Sequence, residues 1–168
     1  MRGRYGLLLG AVLLALLCAA CGPAEGEAAE NGYLLYFREK DLAASSGGDV
    51  FQTEAVEMEE GLDTQTAVET LVKCLLEGPR SELLRGTLPA GTTLLSARVE
   101  GSRAVVDFSA AYSTLSGVRL TMADYAVTLT LTQLPEITSV KITVQGQELA
   151  YRDKQVFTAR DVLLSSEE

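Results

Sequence analysis

The chain has 168 residues, a formal net charge of −9, three Cys and neither His nor Trp. Without His there is no imidazole base and no imidazole metal ligand, so Ser-His-Asp and Cys-His nucleophile mechanisms are excluded within this chain. The acidic balance argues against nucleic-acid binding, which depends on Lys and Arg meeting phosphates, while 22% charged and 47% apolar residues fit one globular domain.

Arg2 and Arg4 precede an apolar run from Leu7 to Leu17, broken only by Gly10 and followed by small residues. The run is shorter than the roughly 20 apolar residues of a membrane span. Residues 1–20 therefore read as a secretory signal peptide. The stretch Leu17-Cys18-Ala19-Ala20-Cys21-Gly22 resembles a bacterial lipobox, with small residues before Cys21 and with Cys18 where Leu is usual. The resemblance implies a lipid anchor on Cys21 and a domain held at the outer face of the cytoplasmic membrane. Loss of Arg2 and Arg4 with the signal takes the charge from −9 to −11. Cys74 is then the one thiol besides the anchor, so no internal disulfide can form. Residues 21–32 carry Gly, Pro, Ala and Glu but no large apolar side chain, and read as a flexible acidic tether reaching at most about 35 Å.

Tyr33 to Arg38 is aromatic and apolar, and reads as a strand. Lys40 to Asp49 reads as a loop, and Val50 to Met58 alternates weakly as a second strand. Glu57, Glu59, Glu60 and Asp63 form the densest acidic cluster. They lack the order of a Ca²⁺ loop and read as a solvated turn, so no metal is expected. Thr64 to Glu77 has the helical stripe Val68, Leu71, Val72, Leu75, Leu76. Asp63 or Thr64 can cap its start, and Gly78-Pro79 ends it. Cys74, near the edge of the stripe, reads as a small core hydrophobe.

Leu94 to Val99 and Arg103 to Phe108 read as a hairpin around Gly101-Ser102. Leu95, Ala97 and Val99 are expected on one face with Ala104, Val106 and Phe108, and Arg98, Asp107 and Ser109 on the other. Val127 to Thr132 alternates like a strand, whereas the window Thr121 to Leu134 carries a helical stripe of Met122, Ala123, Ala126, Val127, Thr130, Leu131 and Leu134. Ser139 to Gln145 is a strand with Val140, Ile142 and Val144 inward. Residues 150–168 form a polar C-terminal extension, with a short element at Asp161 to Leu164. This order of elements predicts an α+β fold, two helices on a mainly antiparallel sheet.

Five motifs in register resemble the GerMN domain of sporulation and spore-germination lipoproteins over residues 33–149. They are Leu75-Leu76-Glu77-Gly78-Pro79, Leu88-Pro89-Ala90-Gly91-Thr92, Val106-Asp107-Phe108-Ser109, Thr130-Leu131-Thr132-Gln133-Leu134-Pro135 and Val140-Lys141-Ile142-Thr143-Val144-Gln145-Gly146. The resemblance implies a fold similar to ring-building motifs, a helix for the ambiguous segment, and a surface lipoprotein of a Gram-positive bacterium. It carries over no catalytic residue and no cofactor. GerM-type proteins have two such domains, and this chain has room for one.

The motif residues read as structural. Gly78, Pro79 and Pro135 stop helices, and Pro89 and Gly91 shape a turn. Asp107 is placed to pair with Arg98 across the hairpin, or Ser109 to cap the turn that follows it. Thr132 and Gln133 sit where side chains satisfy free helix carbonyls. The expected role is a non-catalytic interaction module, with a sheet edge and Tyr33, Tyr36, Tyr112 and Tyr125 as candidate contacts to a protein partner or a second copy. The alternative is a lipoprotein binding a small ligand such as a cell-wall fragment.

Overall fold

The structure, a computed structural model, describes residues 32–40 and 50–164. The signal peptide, Cys21 and the tether up to Asn31 lie outside the described residues.

β1 (Gly32–Glu39) runs antiparallel to β2 (Gln52–Glu57), with Tyr33 opposite Val56 and Phe37 opposite Gln52. Its far end pairs with a two-residue strand, β3 (Leu84–Arg85), which sets Arg38 opposite Arg85. These make a sheet of order β2-β1-β3. A second sheet has the order β4-β5-β6-β7, from β4 (Leu94–Glu100), β5 (Arg103–Phe108), β6 (Ser139–Val144) and β7 (Val156–Phe157). The expected single sheet is thus two. β5 and β6 run parallel, with Ala104 beside Val140 and Val106 beside Ile142; the other pairings are antiparallel. A parallel pair needs a long crossover. A 3-10 turn at Ala110–Thr114 and then α2 (Gly117–Leu131) supply it.

α1 (Thr64–Glu77) has the bounds its sequence signals predict. The Thr66 N–H donates to Asp63 Oδ1 at 3.1 Å, and Val68, Leu71, Val72 and Leu75 are buried. Gly78 ends the helix at φ 85, where a side chain would be strained. α2 starts four residues before the predicted Thr121 and stops at Leu131. Its strand-like alternation is tolerated because the helix is central. It packs on β1, β6, β7, α1 and a short C-terminal helix, α3 (Ala159–Leu164). Leu120, Ala123, Val127 and Leu131 are buried, and so are Ala126, Thr128 and Thr130. The buried Thr128 hydroxyl is satisfied within its own helix, donating to the Asp124 carbonyl at 2.7 Å. α1 likewise touches β4 and β1, so each of these helices meets both sheets and one core serves all three layers.

The hairpin differs from expectation at one point. Ala97 and Val99 do face Val106 and Ala104, but a bulge after Leu94 shifts the register, with Leu94 opposite Phe108 and Ser96 opposite Asp107. Leu94 therefore packs on the core and Leu95 is 52% exposed. The C-terminal segment closes the second sheet. β7 pairs with β6, placing Phe157 opposite Val140, and α3 begins at Ala159, two residues before the expected element.

Candidate interaction site

The polar motif residues are spent on backbone ties. Gln133 reaches β1 from the turn after α2. Its Oε1 accepts from the Leu34 N–H at 2.8 Å, and its Nε2 donates to the Leu34 carbonyl at 2.7 Å. The same Nε2 lies 3.2 Å from the Leu129 carbonyl and 3.1 Å from that of Thr130. One amide thus imitates a strand along the side of β1 that β2 does not use, and satisfies the end of α2. The Thr132 hydroxyl donates to the Thr128 carbonyl at 2.8 Å. Gln65, which the sequence reading missed, does the same for β4. Its Oε1 accepts from the Val99 N–H at 3.0 Å and its Nε2 donates to the Ala97 carbonyl at 2.6 Å.

Asp107 does not pair with Arg98. Its Oδ1 accepts from the Thr143 hydroxyl and from the Gly146 N–H, both at 2.7 Å, and so holds the turn in which Gln145 takes φ 51. Arg98 turns to Glu100 instead, at 2.7 Å. Ser109 makes no side-chain cap to the turn after it; its hydroxyl accepts from the Thr93 N–H at 3.0 Å. Pro89 and Gly91 lie in a turn closed by the Thr92 N–H on the Pro89 carbonyl at 3.1 Å. Cys74 is half-buried against the core, and burial raises its thiol pKa.

The four tyrosines separate. Tyr112 is fully buried and cannot be a surface contact. It stacks on Phe108, ring centroids 4.9 Å apart, because the 3-10 turn folds it under the sheet. Tyr36 is half-buried, edge-on to Phe51, and Tyr125 is half-buried, edge-on to Phe157. Tyr33 is half-buried at the start of β1.

The Tyr112 hydroxyl belongs to a buried cluster. It donates to Asp124 Oδ1 at 2.7 Å, and Arg152 donates to the same oxygen at 2.9 Å and to the Ile142 carbonyl at 2.9 Å. The Arg152 guanidinium also lies over the Phe157 ring, 5.7 Å from its centre. The Asp124 and Arg152 side chains are 2% and 4% exposed, so the cluster locks the fold and offers nothing to a substrate. Burial pushes the Asp124 carboxyl up from 3.8 to about 6, against the pull of Arg152. Burial and then the Asp124 charge push the Tyr112 hydroxyl up as well.

Folded Asp124 thus keeps its proton to a higher pH than the unfolded chain does. Its contribution to stability is full below pH 3.8 and is lost as pH rises through about 6. The expected loss is about 3 kcal/mol, at about 1.4 kcal/mol per pH unit. Urea titrations of the native chain and of Asp124→Asn across pH 4–6 measure it. The native chain minus the variant should slope downward, and a flat difference would contradict the assignment. A signal for this residue was present, since a carboxylate at Asp124 interrupts the buried stripe of Leu120, Val127 and Leu131.

Three of the singled-out residues do meet. Tyr33, Gln133 and Pro135 line an open cleft of about 720 Å³ at the N-terminal end of β1. Met58 and Leu62 add apolar wall, and Glu59 and Glu136 are exposed on it.

The comparisons with known proteins fit this fold. The structure of the tandem GerMN domains of the sporulation protein GerM from Bacillus subtilis is similar at 25% identity and a TM-score of 0.54, over 77% of this chain and 46% of that one. The chain thus spans about half the length of the tandem protein. The first GerMN domain of the same protein matches at 22% identity and a TM-score of 0.52, over 74% of this chain and 90% of that one. A crystal structure of a candidate lipoprotein from Clostridium perfringens matches at 20% identity and a TM-score of 0.53, over 77% and 88%. No curated protein matches the chain. The family model for Germane, described as sporulation and spore germination, matches residues 34–150, and with most of the chain inside that match the protein belongs to the Germane family.

Proposed function

We propose that the chain is a non-catalytic lipoprotein held through Cys21 at the outer face of the cytoplasmic membrane, whose Germane domain works as a protein-interaction module in sporulation or spore germination. The observation that carries this reading is the cleft beside Tyr33. It opens at the N-terminal end of β1, and it sets exposed carboxylates at Glu59 and Glu136 beside Met58 and Leu62. A partner segment with basic residues flanking an apolar contact matches that surface. The polar motif residues that a reaction would draw on, Asp107, Ser109, Thr132 and Gln133, are engaged in backbone ties.

Cross-linking and co-purification from sporulating and from vegetative cells test the module. The expected result is a partner whose recovery falls at least tenfold with Glu59→Lys and Glu136→Lys together. A strict monomer with no partner in either state overturns the reading. The anchor is tested separately. Cys21→Ala should release the protein into the medium, and unchanged membrane retention would refute lipidation there.

A further inference from the structure

Arg38, Arg85 and Arg119 line one small pocket of about 190 Å³, together with Thr87. None of the three arginines has a carboxylate partner among the described residues, whereas Arg80, Arg98 and Arg152 each have one. Local electrostatics disfavour all three positions. Arg38 and Arg85 are directly opposite across β1 and β3, a like-charge cross-strand pair. Arg119 lies in the first turn of α2, where the helix dipole repels a cation. Thr87 is 8% exposed, and its buried hydroxyl has no hydrogen-bond partner among the described residues. Arg38 is half-buried and Arg85 and Arg119 are exposed, so in an acidic chain the hollow is a solvent-facing concentration of positive charge with no carboxylate on it among the described residues.

We propose that this pocket binds a phosphoryl group. Each guanidinium presents a fork of two N–H donors, and three forks outnumber the acceptor sites of a carboxylate's two oxygens. A phosphoryl group with three terminal oxygens accepts more of them. The volume is below that of ordinary small-molecule pockets, about 300–1,000 Å³. It suits a phosphate head whose remainder extends outside. Arg38 lies six residues along β1 from Gly32, about 20 Å at 3.3 Å per residue, so the pocket is at the opposite end of the strand from the cleft beside Tyr33.

Amide NMR of the detergent-solubilised full chain tests it, with three titrants at matched ionic strength: inorganic phosphate, monomeric short-chain phosphatidylglycerol, and acetate. Saturable shifts at Gly86 and Thr87 are expected from a phosphoryl probe and not from acetate. Saturation by phosphate is the expected result, and saturation by the lipid alone, whose diester has only two unbridged oxygens, overturns the assignment. Arg85→Gln and Arg119→Gln should each weaken binding at least tenfold, the worth of one charge-assisted hydrogen bond. Arg85→Gln also relieves the like-charge pair and should raise the melting temperature by about 1–4 °C, which separates lost binding from lost folding. The assignment is overturned if neither phosphoryl probe saturates, if acetate does equally well, or if both variants bind as tightly as the native chain.

Discussion

Arg152→Ala should lower the unfolding free energy by about 3–5 kcal/mol, read from urea denaturation at pH 7. At that pH Asp124 is ionised and its charge is 2% exposed, so Arg152 is the counter-charge that makes its burial tolerable. Removing the guanidinium leaves the carboxylate with the Tyr112 hydroxyl alone and strips the Ile142 carbonyl of its donor. The loss should exceed the value of the hydrogen bonds themselves, because a buried unpaired charge bears its full desolvation cost. Replacing both partners together, Arg152→Met with Asp124→Leu, should recover the part due to the unpaired charge, while the Ile142 carbonyl and the buried Tyr112 hydroxyl stay without their partners. A loss below about 1 kcal/mol for Arg152→Ala, or no recovery in the double variant, would show that the pair is not the lock described.

The cluster also bears on how the chain is organised. The family match ends at residue 150, two positions short of Arg152. The segment after it nevertheless supplies the counter-charge of a residue in the central helix, a strand of the second sheet and the buried Phe157. A stretch that reads as a polar extension thus carries one charged residue, Arg152, into the interior, while Asp153, Lys154 and Arg160 stay exposed.

What was legible in the sequence follows from the range of each signal. α1 could be read to the residue because an N-cap, a stripe and a Gly-Pro stop all lie within sixteen positions of one another. α2 lacks those marks. Ser116 makes no side-chain cap and Val118 is 76% exposed, so the start is not written in the sequence; of the expected stripe Ala123, Ala126, Val127, Thr130, Leu131 and Leu134 are buried, but Leu120, Asp124 and Thr128 are buried beside it. In the hairpin, Leu94 and Leu95 are adjacent and equally apolar, and only the bulge decides which one packs. The burial of Tyr112, a candidate contact on sequence alone, has no local signal, because a five-residue 3-10 turn offers no periodicity from which to infer it. The ties between Gln133 and Leu34, between Asp124 and Arg152, and the meeting of Arg38 with Arg85 join residues far apart in the chain, and no local pattern encodes them.

Gln133→Ala should cost about 3 kcal/mol and should act first on β1. Four hydrogen bonds end on this amide, and a typical one contributes about 1 kcal/mol net, more where the partner is left buried and unpaired. The Leu34 N–H and carbonyl turn away from β2, so no strand replaces the lost side chain. Hydrogen exchange gives the specific readout. In the native chain the Leu34 amide should exchange only with large-scale opening, and in the variant it should exchange at least tenfold faster, while amides of β5 change only as far as global stability falls. Gln133→Glu sharpens the test. At neutral pH its carboxylate can still accept from the Leu34 N–H but cannot donate to the carbonyl, so it should be nearly as destabilised as the Ala variant. At pH 3.5 the protonated acid regains a donor and should recover part of the loss. The bared side of β1 should also promote concentration-dependent self-association, visible by light scattering, since an unpaired strand edge is a template for another strand. Unchanged protection of Leu34 in Gln133→Ala would mean that the amide only accompanies this edge and does not seal it.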